Sequence, residues 1–178
     1  SVSDPHFDVF VKIGPSNYQY GFEFGLIRYP LPQTKMNNIM NASLMLSMAS
    51  KIPTVVCGRI GISTIDTLIN FTTLIGKMPL IIPCTNYLDF ARINQCLDVA
   101  EKVNSFIIFK DLDHLSQETF NNLSIEVLRR KETIPNTMRI FGTYSIVSEC
   151  PEKLKLAYRP ILLNDYDAKD QFKTLLSS

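Results

Sequence analysis

The residues best placed to do chemistry form the run Cys57-Gly58-Arg59-Ile60-Gly61-Ile62-Ser63-Thr64-Ile65. It follows a short β-branched stretch, Thr54-Val55-Val56-Cys57, and leads into a helical pattern. A strand, a Gly-bearing loop and a helix are the setting of GxxxxGK[ST]. In that pattern backbone N–H groups wrap phosphates, a Lys neutralises their charge and a Ser/Thr hydroxyl holds magnesium. Here Gly58 takes the first position, Ser63 stands at the second Gly, Thr64 at the Lys and Ile65 at the Ser/Thr. A shift of one residue brings Ser63 and Thr64 to the last two positions, still without a Lys. Gly58, Gly61, Ser63 and Thr64 are the candidate phosphate contacts; the competing reading is an ordinary strand-to-helix turn. The missing Lys removes the charge-assisted contact that phosphate sites depend on.

A magnesium-binding partner for such a loop would be an acidic pair at the end of another buried strand, four apolar residues followed by Asp-Glu. Phe106-Ile107-Ile108-Phe109 supplies the apolar part, but the next two residues are Lys110 and Asp111. Lys110 puts positive charge where a carboxylate should hold the metal. Asp111 is a short substitute for the Glu that polarises water, and is a weak catalytic candidate at most. Asp113 and His114 follow without a recognisable catalytic partner, so all of these also read as solvated residues at a strand end. No intact hydrolytic site is visible. Cys57, Cys84, Cys96 and Cys150 form no CxxC pair and only two His are present, which excludes a zinc site of ordinary spacing.

The elements that must position these residues alternate along the chain. Met36, Met40, Leu44 and Met48, with Ile39 and Leu46 beside them, predict a helix over 33–50. Thr54 to Cys57 reads as a buried strand. Ile65, Leu68, Ile69 and Thr72 predict a helix closing near Gly76, and Leu80-Ile81-Ile82 a second buried strand ended by Pro83. Phe90, Ile93, Leu97 and Ala100 mark the next helix, Phe106 to Phe109 a third strand, and Phe120, Leu123, Val127 and Leu128 another helix. Arg139 to Tyr144 and Pro160 to Leu163 complete five strands. Continuous apolar strands alternating with helices predict the α/β class, a parallel five-stranded sheet covered by helices on both faces. Residues 1–33, broken by Pro and Gly, predict an irregular opening segment packed on this unit. Residues 34–167 form the unit itself, and 168–178 the start of a helix or a tail.

The chain has 178 residues, 46% hydrophobic and 20% charged, with a formal net charge of +1. That balance excludes disorder, which needs low hydrophobicity and high net charge. It also removes any whole-chain attraction to nucleic acid, so no nucleic-acid partner is expected. No apolar run reaches the ~18 residues of a membrane span, so no membrane role is expected. The four scattered Cys read as reduced core thiols of an intracellular protein. Seven Gly is a low count for this length, which bears on any loop that must approach a phosphate.

Several blocks, in collinear order from about Tyr20 to Asp167, resemble the first AAA+ module of the dynein heavy chain. Tyr20-Gly21-Phe22-Glu23-Phe24 is similar to that family's YGYEYLG, and Tyr29-Pro30-Leu31 stands near its TPLTDRCY. Gly58 to Ile65 falls where the family has GPAGTGKT, and Pro83 to Phe90 resembles FNCSDGLDYKAM. Ser105 to His114 sits at WACFDEFNR, and Leu115 to Leu128 resembles IELEVLSVVAQQIL. Phe141 to Ser145 stands at FITMNP, with Tyr144 at the Asn, and Pro151 to Ile161 resembles PDNLKVLFRPV. The departures fall on chemistry: the loop Lys, its Ser/Thr, the strand-end Asp and the sensor Asn are all replaced.

The resemblance implies a P-loop/AAA+ type sheet and a degenerate, non-hydrolytic module with a structural or regulatory role in a microtubule motor or axonemal assembly. It implies no cofactor, or weakly bound ATP or ADP. It adds Arg159 to the candidate nucleotide contacts, although an Arg before a strand can equally pair with a carboxylate at a module interface. Partners would be neighbouring AAA+ modules or other dynein and axonemal proteins, in a cytoplasmic, cytoskeletal setting that includes the axoneme of a cilium or flagellum. An ATP-hydrolysing or nucleotide-binding motor module and a free-standing scaffold of dynein-like fold are the alternatives. The start at Ser1 and the short stretch after Asp167, too little for a helical lid, lead one to expect a piece of a longer chain.

Overall fold

A computed structural model describes residues 8–23, 34–59, 62–133, 139–146 and 151–163. Phe10–Ile13 (β1) and Ser16–Gln19 (β2) pair antiparallel in a hairpin turned by Gly14 at φ +59°. The opening segment, which reads as turns and short extended pieces, thus holds two strands of four residues each. The helix Lys35–Ala49 (α1) follows, its first turn capped by the Thr34 hydroxyl accepting from the Asn37 N–H at 3.1 Å. Then come Thr54–Arg59 (β3), Thr64–Leu74 (α2), Leu80–Pro83 (β4), Phe90–Lys102 (α3) and Phe106–Lys110 (β5). A 3₁₀ turn over Leu112–His114 leads into Gln117–Thr133 (α4), and Arg139–Ile146 (β6), Glu152–Ala157 (α5) and Arg159–Leu163 (β7) follow.

β3 to β7 make one all-parallel sheet in the order β4-β5-β6-β3-β7, the P-loop/AAA-type arrangement. The first strand of the sheet, β3, lies between the last two, β6 and β7. The chain therefore leaves it in one direction and finishes on its other side. The crevice that binds ligands in such sheets lies outside the carboxyl end of that strand.

Helices cover both faces. α1 and α2 bury Met40, Leu44, Met48, Leu68 and Phe71 against Val56, Ile108 and Phe141. On the other face α3, α4 and α5 bury Ile93, Leu97, Leu123, Val127 and Leu154 against Val55, Ile107 and Phe109. Some residues assigned to core faces lie outside. Ile39, Leu46 and Leu128 are exposed, because each sits about 100° around its helix from a residue of the stripe that meets the sheet. On α2 the buried set is Thr67, Leu68, Phe71 and Thr72. A helical spacing fits this set and the expected one equally well, and the large Phe71 ring decides which turns inward.

Among the described residues β4 is an edge strand, not a buried one, with Leu80 and Ile81 each 37% exposed. The Cys84 N–H donates to the Lys110 carbonyl at 2.8 Å, so even-numbered residues point their N–H groups at β5. The outward positions are then Pro79, Ile81 and Pro83, of which only Ile81 carries a donor. Prolines there blunt an edge that would otherwise pair with another chain. Replacing Pro79 and Pro83 together by Thr should cause concentration-dependent aggregation, measured by light scattering. Equal scattering from variant and parent would remove this role.

Candidate functional site at the carboxyl edge of the sheet

β3 ends at Arg59, and the loop turns sharply into α2. The Ile62 N–H donates to the Arg59 carbonyl at 3.0 Å and the Thr64 N–H to the Ile62 carbonyl at 2.9 Å. In a phosphate loop such N–H groups converge on the anion; here the loop's own carbonyls take them. Gly58 is tightly covered as well. A Cβ at that position would lie 2.6 Å from Thr64 Cγ2 and 3.6 Å from Ile62 Cβ. The absence of a side chain at Gly58 thus admits the Thr64 methyl.

Ser63 and Asp66 close the helix start. The Ser63 hydroxyl donates to an Asp66 carboxylate oxygen, and Asp66 lies in the first turn of α2. A carboxylate there faces the positive end of the helix dipole. A phosphate brought to the same place would meet negative charge, a repulsion of about 1 kcal/mol at 4 Å even in bulk water and more in a partly dry loop. Asp66 is not among the candidate contacts, although the spacing Ser63-x-x-Asp66 is that of a capping pair. Gly61, also a candidate contact, lies outside the described residues.

The acidic element is displaced from this loop by one strand, because β6 separates β5 from β3. Asp111 adopts a left-handed backbone at φ 61° and ψ 58°. Its N–H donates to the buried Thr143 hydroxyl of β6 at 2.8 Å, and that hydroxyl stands 3.4 Å from Asp111 Oδ1. Lys110 Nζ is 3.8 Å from the other carboxylate oxygen, so the Lys pairs with the acid that would have been asked to polarise water. Asp113 accepts from the Ser145 N–H at 3.0 Å and lies 3.6 Å from His114 Nε2. These carboxylates fasten the turn after β5 to β6. Thr143 carried no signal in the sequence, since its role depends on β6 lying beside β5. Tyr144, at the expected sensor position, pairs in register with Cys57. Cys84, at the end of β4, is buried; burial first, and then the negative fields of Asp111 and Asp113, push its thiol up to about 12. It stays protonated and is a poor nucleophile or metal ligand at neutral pH.

Arg159 lies elsewhere. It opens β7 opposite Thr54, the first residue of β3; its N–H donates to the Pro53 carbonyl at 2.8 Å and Nη1 to the Ser47 hydroxyl at 3.0 Å. At ~3.3 Å per residue, the length of β3 from Thr54 to Gly58 is about 13 Å. Gly58, Ser63 and Thr64 therefore come together at one end of the sheet, Asp111 lies at that same edge two strands away, and Arg159 faces α1 at the other end. Among the described residues no group of three or more His, Cys, Asp or Glu is arranged to hold a metal ion, and no helix is long and apolar enough to cross a membrane. No protein-family model matches the chain, and no curated protein matches it.

Proposed function

We propose that this chain is a non-hydrolytic AAA+ module of dynein heavy-chain type, with a structural or regulatory role beside modules that carry the hydrolysis. The observation that supports this most is the closed phosphate loop. The N–H groups of Ile62 and Thr64 are bonded within the loop, and Asp66 holds Ser63 where an anion would sit. The positive charge of Lys110 beside Asp111 argues in the same direction. Neighbouring AAA+ modules or other dynein and axonemal proteins are the proposed partners. The proposed setting is cytoplasmic and cytoskeletal, including the axoneme of a cilium or flagellum. A weakly nucleotide-binding module is the second reading, favoured by an acid just beyond β5, Asp111, lying beside a hydroxyl within β6, Thr143.

Thermal unfolding of the chain with millimolar ATP or ADP and magnesium separates these readings. A ligand at a hundred times its Kd stabilises by about 2.7 kcal/mol, which moves the melting temperature of a chain this size by several degrees. The expected result is no shift with either nucleotide, and no phosphate release. A shift of several degrees would establish the second reading, and turnover abolished by Asp111→Asn would establish an active module.

A further inference from the structure

The hairpin β1-β2 belongs to neither layer of helices and shares no ladder with the main sheet. Two four-residue strands are marginal as an isolated unit in water, so the hairpin's position must come from what holds it. Its inner residues Val11, Ile13 and Tyr18 pack on the core cluster that contains Met40, Met48 and Phe106, with the Tyr18 ring 6.3 Å from that of Phe106.

Beyond this apolar seat, a set of polar contacts holds the segment at the turn after α2. The segment after β2, Tyr20 to Glu23, lies across the turn between α2 and β4. The Gly21 N–H donates to the Ile75 carbonyl and the Glu23 N–H to the Gly76 carbonyl, both at 2.9 Å. One Glu23 carboxylate oxygen pairs closely with Lys77 Nζ, and the other accepts from the Met78 N–H at 2.7 Å. The Tyr20 ring sits on Gly76, where φ is +70° and a Cβ would lie 2.5 Å from the ring. A Cβ at Gly21 would strike the Gly76 carbonyl oxygen at the same distance. Two glycines thus let a four-residue clasp close on a four-residue turn.

We infer that residues 8–23 are a releasable latch: hairpin and clasp leave the domain together, uncovering Phe106 and the methionine face of α1 while the five-stranded sheet stays folded. The core cluster on the other face, with α3, α4 and α5, includes no residue of this segment, so its loss removes one cover and leaves that cluster whole. Elements held by few contacts open at lower free energy than core strands, and as cooperative units. The clasp sits at the far end of α2 from the Ser63–Asp66 contact, so the latch grips the helix that leaves the candidate loop.

Hydrogen exchange on the whole chain, followed by mass spectrometry across a series of sub-denaturing urea concentrations, tests this. Amides of the β1-β2 ladder and of Gly21 and Glu23 should exchange through one shared opening with little urea dependence, ahead of those in β3, β5 and β6. Glu23→Gln, which discharges the clasp and keeps its shape, should speed that group about tenfold or more and leave the sheet amides unchanged. Gly76→Ala, which disturbs the seat of Tyr20, should accelerate the same group. The latch is overturned if hairpin amides exchange only with global unfolding, if Glu23→Gln leaves them unchanged, or if it accelerates the sheet equally.

Discussion

Phe141→Ala should lower the stability of the folded chain by about 3–5 kcal/mol, seen as a fall in the urea midpoint at unchanged slope. Phe141 lies in β6, with β5 on one side and β3 on the other, and is 1% exposed. Its ring centroid is 6.1 Å from that of Phe71 at 77° and 5.8 Å from that of Phe106 at 54°. The three rings come from a helix and two strands, so their contact joins α2 to the middle of the sheet. Truncation removes both the transfer free energy of the ring and its packing with two neighbours, and central strands are poorly able to collapse into the space left. Phe71→Ala should also be costly, and the double variant should fall short of the sum by about 0.5–1.5 kcal/mol. A loss below about 1 kcal/mol for Phe141→Ala would mean that the site relaxes and that these rings do not hold the face together.

That aromatic junction was visible only in part from the chain. The runs 54–57, 106–109 and 139–144 declare buried strands because a parallel sheet covered on both faces needs side chains that are apolar on both sides. The order of the strands is not written in any one run. Leu80-Ile81-Ile82 looks as buried as its neighbours, and only its place at the end of the sheet exposes it. The candidate loop was legible in its residue types, since Ser63, Thr64 and Ile65 already depart from a phosphate pattern. Its closure by Asp66 was legible in spacing alone.

The distance of Arg159 from the loop follows from direction. Gly58 is near the end of its strand and Arg159 begins one, and in an all-parallel sheet those positions lie at opposite ends. Resemblance aligned the two residues with one nucleotide site, whereas strand polarity separates them. The Asp111–Thr143 contact could not be read, because it joins residues from strands whose adjacency is a property of the finished sheet.

Arg130→Met should cost about 2 kcal/mol at neutral pH, and the cost should shrink in acid. The side chain of Arg130 is 4% exposed and is held by three carboxylates. It pairs closely with Asp98 and lies 2.9 Å from Glu101 and 2.6 Å from Glu126; Nη2 also donates to Asn94 at 2.9 Å. This guanidinium ties α3 to α4 from within α4. Breaking a fully buried pair costs 3–5 kcal/mol because a charge is stranded. Here Asp98 and Glu101 are 49% and 39% exposed, so water takes over much of their solvation and a smaller loss is expected.

Glu126 supplies the pH dependence. Hydrogen bonds from Arg129 first, and then from Arg130, hold its carboxyl at about 2, against the opposing effect of burial. A folded-state value below the ordinary 4.5 means that this stabilisation is complete above about 4.5 and is lost as pH falls towards 2. With Arg130 replaced, Arg129 still holds Glu126, so its carboxyl should remain lowered, but less than in the parent. The gap between parent and variant in urea midpoint should therefore be full at pH 7 and narrow steadily below about pH 4.5. A gap that stayed constant to pH 2.5 would mean that the charge on Glu126 does not set the contribution of Arg130, because Met keeps an unbranched stem in the same place and only the guanidinium and its pairs are lost.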